Sequence, residues 1–210
     1  YIIIHLENEH SIIVHLRMTG KLVWSGVGEE VSKHQRACFL LADEHKIPFI
    51  DPRTFGKITI CRTENVSNYV TRLGAEPLET GFTAEYLQQK LSRKKSPIKT
   101  ALLDQSTVAG LGNIYVCEIL YRAKIRPDRD SASLSLSRLR VIVKQTKQVL
   151  AEALENNGTS ISDFRRIDDK TGEFQNLLRV YQKKSCPLGH QIENIRIAGR
   201  SSFFCPVCQK

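Results

Sequence analysis

Four residues near the end of this 210-residue chain have the types and spacing of a metal site. Cys186 and His190 form a C-x3-H pair, and Cys205 and Cys208 a C-x2-C pair. Structural zinc takes four thiolate or imidazole ligands in a tetrahedron, usually as two close pairs on facing turns. Gly189 frees the backbone in the first turn, and residues 191–204 alternate loosely, as a β-hairpin joining the two pairs. The spacing therefore reads as one structural Zn2+ held by Cys186, His190, Cys205 and Cys208. The alternative is a lost site in which His190 is only a surface polar residue. From Lys183 to Lys210 there are five basic residues against one acidic, Glu193. A stapled, positive hairpin suits a phosphate backbone, and equally suits any zinc ribbon.

A second cluster lies in RKKSPIKTALLDQSTVAGLGN, residues 93–113. One helix ends near Asp104, Gly110 and Gly112 permit turns, and a new helix starts at about Asn113. The start of a helix offers unpaired backbone N–H groups, which suits a phosphate. Arg93, Lys94, Lys95 and Lys99 can neutralise neighbouring phosphates. The plainer reading is a glycine-containing helix connection with a solvated basic face.

The elements that must position these groups fall into three blocks. Strand-like runs cover 1–6, 11–16, 21–24, 37–41, 48–50 and 57–61, a spacing that suggests a β-sandwich. Helical patterns follow near 64–72, 83–92, 97–105 and 113–122. A longer helix over 135–156 is stopped by Asn-Asn-Gly. Thirty-one Lys and Arg against 22 Asp and Glu give a net charge of +9, which favours a polyanionic partner. No apolar run approaches membrane-spanning length and no signal-peptide pattern opens the chain. The expectation is a soluble protein in a reducing compartment. Cys38, Cys61 and Cys117 are scattered among apolar residues and read as buried free thiols.

The ordered motifs HLRMTGKL (15–22), KHQRA (33–37), DPRTFGK (51–57), LGAEPL (73–78), VAGLGN and the hairpin IRIAGRSSFFCPVCQK carry a resemblance across essentially the whole chain. It resembles the formamidopyrimidine-DNA glycosylase family, bacterial base-excision enzymes that remove oxidised purines. The resemblance implies an α+β protein in three parts. Residues 1–74 would be an incomplete N-terminal β-sandwich, 75–182 a helix-two-turn-helix domain, and 183–210 a zinc finger. It implies a bifunctional glycosylase and abasic-site lyase that acts on 8-oxoguanine and formamidopyrimidines in duplex DNA and nicks by β,δ-elimination. Damaged double-stranded DNA is the implied partner, with no membrane, for a monomer in the bacterial cytoplasm, associated with the nucleoid.

Residue by residue, the resemblance makes Met18, Arg53 and Phe55 the wedge that fills the gap left by a flipped nucleotide. Without it, Met18 and Phe55 read as core. His34 and Lys94 fall on DNA-backbone contacts, Lys99 and Asn113 on the phosphate clamp. Arg200, at the hairpin tip, falls on the proton donor of the δ-elimination. Two departures stand out. CPLGH replaces the first of the family's two C-x2-C pairs, and DDKTGEF (168–174) departs from its lesion-capping loop.

The family's N-terminal proline nucleophile, the Glu after it and a catalytic Lys have no counterpart in these 210 residues. The chain reads as a fragment lacking the leading helix and part of the sandwich, catalytically incompetent as given, with an apolar face uncovered. Alternatives are an endonuclease VIII-like enzyme acting on oxidised pyrimidines, whose wedge is contiguous, and a non-catalytic DNA-binding protein. A zinc-ribbon RNA binder leaves DPRTFGK and VAGLGN unexplained.

Overall fold

The computed structural model describes residues 1–30, 32–70, 72–161, 167–168 and 170–210. The chain divides into two compact units: Tyr1–Thr71 with Asn156–Gln175, and Arg72–Glu155 with Asn176–Lys210. The segment 156–175 thus belongs with the N-terminal strands, and the C-terminal hairpin shares a unit with the helices.

The first unit is built on seven strands: β1 (Ile2–His5), β2 (His10–His15), β3 (Lys21–Leu22), β4 (Ser25–Gly26), β5 (Gln35–Leu40), β6 (His45–Ile50) and β7 (Lys57–Arg62). β2 lies between β1 and β7 in one antiparallel sheet. In the other, β6 is central: β5 runs along one edge, and β3 and β4 pair with the two ends of the opposite edge. The sheets face each other across an apolar cleft of about 870 Å³, lined by Ile2, Ile4 and Ile12 from the first and Leu22, Phe39 and Ile47 from the second. Ser11, the one polar side chain buried on β2, is satisfied by His5 Nδ1 at 2.8 Å and Thr63 Oγ1 at 2.9 Å.

All six strands expected from the sequence are present. β4 is additional, two residues with no apolar pattern to announce them. Of the helix expected over 64–72, the described residues show a 3-10 turn, Thr63–Asn65, and a helical stretch, α1 (Ser67–Val70), while Thr71 lies outside the described residues. Neither stretch buries a described residue.

In the second unit, α2 (Ala84–Leu91) begins where the Thr83 hydroxyl accepts a hydrogen bond from Tyr86 N at 3.1 Å, an N-cap. It buries Ala84, Leu87 and Leu91, one helical stripe. α3 (Ile98–Leu103) follows Pro97, and α4 (Asn113–Arg122) follows Gly112. α5 (Leu136–Glu155) buries Leu139, Ile142, Thr146, Val149 and Ala153 and packs on both α2 and α4. Gly74 is required by packing: a Cβ there would lie 2.4 Å from the Thr107 carbonyl. The close approach lets Gly74 N donate to Gln105 O (2.7 Å) and Ala109 N to Ala75 O (3.0 Å), hooking the LGA stretch onto the loop after α3.

β8 (Glu193–Ile197) and β9 (Arg200–Phe204) form the C-terminal hairpin. Ala198 (φ 45°) and Gly199 (φ 77°) make its two-residue turn, both with positive φ as a type I′ connection requires. Phe204 is fully buried, with the Arg126 guanidinium 4.8 Å over its ring. The segment leading into the hairpin is fixed by Glu118, a fully buried carboxylate on α4. It accepts from the backbone N–H groups of Arg179, Val180 and Tyr181, each at 2.9 Å.

Truncating this carboxylate leaves three amides without their acceptor, the Val180 amide buried and the other two partly buried, and a buried unpaired amide costs about 1–3 kcal/mol. Glu118→Ala is therefore expected to cost about 2–3 kcal/mol, read as a lower urea midpoint. A loss under about 1 kcal/mol would show that the three amides find other partners.

Candidate nucleic-acid interface and metal centre

Met18, Arg53 and Phe55 come together on the surface of the first unit. Met18 is 64% exposed and Phe55 54% exposed, so neither is a core residue. The Arg53 guanidinium lies 4.8 Å from the Phe55 ring centroid, and its Nη1 is 3.7 Å from Met18 Sδ. Two segments 35 residues apart thus present one cationic and apolar prong.

The group that assembles it, Asp51, carried no role in the sequence reading. Asp51 is buried. Its Oδ1 accepts from Thr19 Oγ1 at 2.5 Å and from Arg53 N at 3.3 Å, and its Oδ2 from Gly56 N at 2.7 Å. Burial works to raise its pKa, but these hydrogen bonds outweigh burial and the carboxyl sits below its ordinary value. Gly56 is glycine for space, since a Cβ would fall 2.3 Å from Phe49 Cζ. His34 is half-buried beside this loop, with its carbonyl accepting from Asp51 N at 3.0 Å. Arg36 Nε donates to Asp51 O at 3.0 Å.

In the second unit, Gly110 alone of the two loop glycines adopts a left-handed conformation, φ 74°. Gly112 has an extended backbone, and nothing lies within 4 Å of where its Cβ would be. Among the described residues, no side-chain hydrogen bond caps the start of α4. Asn113, at the same end, donates from Nδ2 to Ser201 O at 3.1 Å, which leaves a second amide hydrogen free.

Lys99 is not on the surface. It is fully buried, donating from Nζ to Ser201 O at 2.7 Å and Ser202 Oγ at 2.6 Å. Burial lowers its pKa, the Cys117 thiol beside it opposes that, and the Arg200 charge adds to it. Cys117 is itself buried and pushed up for that reason, while Cys38 and Cys61 are half-buried; all three are free thiols.

Lys94 donates to Asp104 Oδ2 and, at 2.7 Å, to Thr107 Oγ1, so its charge is already paired. Hydrogen bonds from Lys94 first, then from Ser106, lower the Asp104 carboxyl to about 2. Arg200 is exposed, immediately after the hairpin turn. Of the capping stretch 168–174, Asp169 lies outside the described residues.

The four metal-type ligands converge as their spacing implied. Their ligand atoms all lie within 4.8 Å of one another. Cys186 Sγ is 3.6 Å from His190 Nδ1 and 4.0 Å from Cys208 Sγ, which is 3.4 Å from the same nitrogen. A tetrahedral zinc with its usual bond lengths would set S···S at about 3.8 Å and S···N at about 3.5 Å. The residues fit a tetrahedral metal, to which His190 would present Nδ1. Supporting groups surround them: Gln209 Oε1 accepts from Cys205 N at 2.8 Å while its Nε2 donates to Ile125 O at 2.8 Å. The Tyr121 phenol is pushed up by burial and then by its hydrogen bond with Cys186.

Comparison with known proteins agrees with this geometry. Residues 1–58 match the formamidopyrimidine-DNA glycosylase N-terminal domain, and residues 73–165 match the formamidopyrimidine-DNA glycosylase H2TH domain. The chain is 42% identical to a formamidopyrimidine-DNA glycosylase of Desulfitobacterium hafniense and 38% identical to that of Pelotomaculum thermopropionicum. Both alignments cover all of this chain and 78% of the relative. Among solved structures, Lactococcus lactis Fpg in complex with abasic-site DNA superposes with a TM-score of 0.92 at 34% identity, over 99% of this chain and 78% of that one. MutM in complex with DNA containing carbocyclic 8-oxo-G gives 0.89 at 32%, over 99% and 77%.

Two outcomes follow from the buried and paired lysines. Lys99→Met should leave the fold intact but speed amide exchange across residues 200–202 by about tenfold or more; unchanged exchange would mean the lysine does not hold the tip. Asp104 has a depressed pKa, so its contribution to stability is complete above its ordinary value of 3.8 and is lost as pH falls through about 2. A carbon-detected titration should place its midpoint near 2, and Lys94→Met should move it up toward 3.8; a midpoint unmoved by that substitution would assign the shift to Ser106 instead.

Proposed function

Because this chain belongs to the formamidopyrimidine-DNA glycosylase family, we propose that it is the DNA-gripping part of a base-excision enzyme acting on oxidised purines in duplex DNA. The activity is that of a glycosylase and abasic-site lyase, which removes 8-oxoguanine or formamidopyrimidines and nicks by β,δ-elimination. The observation that carries this reading is the exposed prong of Met18, Arg53 and Phe55 on a loop pair locked by Asp51. Extruding a base costs a few kcal/mol of stacking and pairing, which apolar side chains inserted in its place offset. The Arg53 guanidinium can bond the base left without a partner.

The other residues take roles according to where they lie. Asn113 and the open first turn of α4 bind a phosphate, and His34 contacts the backbone beside the prong. Lys99 serves the clamp from inside, as a positioning residue that holds the strand carrying Arg200. Lys94 reaches DNA only by sharing its ammonium with Asp104. Arg200 donates the proton in the second elimination. Cys186, His190, Cys205 and Cys208 hold one structural Zn2+, which would fix the two turns at the base of the hairpin and take no part in the chemistry. Residues 1–74 serve as the sandwich, 75–182 as the helix-two-turn-helix and 183–210 as the finger. The protein works as a monomer in the bacterial cytoplasm, on the nucleoid.

The family's amine nucleophile attacks the sugar C1′ as the base leaves and forms a Schiff base. No residue among these 210 takes that place, so residues 1–210 alone bind lesion DNA without cleaving it. Borohydride trapping on an 8-oxoguanine duplex, with retardation followed on the same gel, tests both halves of the proposal. Retarded but uncrosslinked DNA is expected. A covalent band would put a competent amine within these residues, and absence of any retardation would overturn the grip itself. A tighter hold on a thymine-glycol duplex would favour the pyrimidine-preferring, endonuclease VIII-like alternative.

A further inference from the structure

The metal end of the second unit has a surface that the DNA-gripping role does not use. Each knuckle turn, CPLGH and CPVC, directs one aliphatic side chain outward: Leu188 is 71% exposed and Val207 57% exposed. Gly189, at φ 81°, closes the first turn, and Cys208 N donating to Cys205 Sγ at 3.4 Å closes the second. The two aliphatics share a shallow depression of about 420 Å³ with Lys124, Arg138 and Lys210. No Asp or Glu among the described residues lines it. None of the three cations has an ion-pair partner among the described residues, whereas nearby Arg126 is held by Asp128 through two hydrogen bonds.

This face stands away from the hairpin tip. Five residue steps along β9 lead from Arg200 to Cys205, about 16 Å at the rise of an extended strand. The length of the strand thus sets the depression apart from the tip. Exposed leucine and valine have nothing to offer a phosphate backbone, which would need only the cations. Aliphatic anchors ringed by unpaired positive charge fit a segment of the opposite character, with carboxylates flanking an apolar side chain.

We propose that this face docks an acidic peptide segment of a partner protein, with an aliphatic or aromatic anchor seated between Leu188 and Val207 and its carboxylates on Lys124, Arg138 and Lys210. The docking leaves the DNA grip unoccupied, so a partner can be held while the protein is on a lesion. That simultaneity rests on the reading of Arg200 as the DNA-facing end; the peptide site itself does not.

The test uses the 210-residue chain and a fluorescein-labelled synthetic peptide of four aspartates followed by two leucines, read by anisotropy with and without a saturating abasic duplex. The expected result is saturable binding that the duplex leaves within about twofold. Affinity should fall about tenfold on Leu188→Ser with Val207→Ser, and likewise on Lys124→Glu with Arg138→Glu. All four positions are exposed, and DNA retardation by each variant reports separately that the fold and the grip persist. Loss of the peptide on adding one equivalent of duplex would make this a DNA surface and overturn the proposal. Equal binding of a peptide with serines in place of the leucines would reduce the site to bulk charge. No binding up to about 1 mM, an affinity of about 4 kcal/mol, would also overturn it.

Discussion

A carboxylate with no water around it governs the second unit. Glu118 turns three successive amides of the incoming chain toward α4, and the hairpin can start in only one place as a result. The same helix then accompanies the hairpin along its length. Asn113, Cys117 and Tyr121 recur every four residues on one face. Asn113 touches Ser201 near the tip, Cys117 lies against Phe203, and Tyr121 reaches Cys186 at the base. Lys99 adds a buried cation from α3 on the carbonyl that Asn113 also holds. Such polar groups would be costly inside a small core if any lacked a partner. Lys99 and Glu118 are satisfied, whereas Asn113 spends one amide hydrogen on Ser201 and leaves its buried Oδ1 without a partner among the described residues.

The first unit solves a similar problem with Asp51. In the proposed DNA-gripping role a prong made from two distant segments gains from rigidity, because two floppy side chains would lose rotamer freedom on entering a duplex. Asp51 ties Thr19, next to Met18, to the backbone of Arg53 and Gly56, so the residues that project are fixed by ones that do not. In both units a buried acid receives donors from the chain, and the positive or apolar side chains it supports are left outside.

Much of this was legible in the sequence. The Cys and His spacing named the metal ligands, helical periodicity located α2 to α5, and β-branched runs located six strands. What sequence could not supply was the direction in which single residues face. Met18 and Phe55 have core composition, and only the family resemblance placed them outside, where the structure has them. Lys99 stands in a basic run and reads as solvated, yet it is fully buried, because its partners lie about a hundred residues further on. Asp51 and Glu118 gave no signal, since what they bind is backbone, and backbone amides leave no trace in residue type.

The hairpin's length gives the metal end a mechanical meaning. Arg200 sits at the end of an arm of about 16 Å whose pivot is the pair of knuckle turns. A tilt of only about 5° at the pivot would carry the guanidinium about 1.4 Å, beyond the roughly 0.5 Å tolerance of a working constellation. The turns at Cys186 and Cys205 therefore act as an angular mount: small errors in their geometry, remote from any phosphate, are multiplied along the arm into misalignment at its tip.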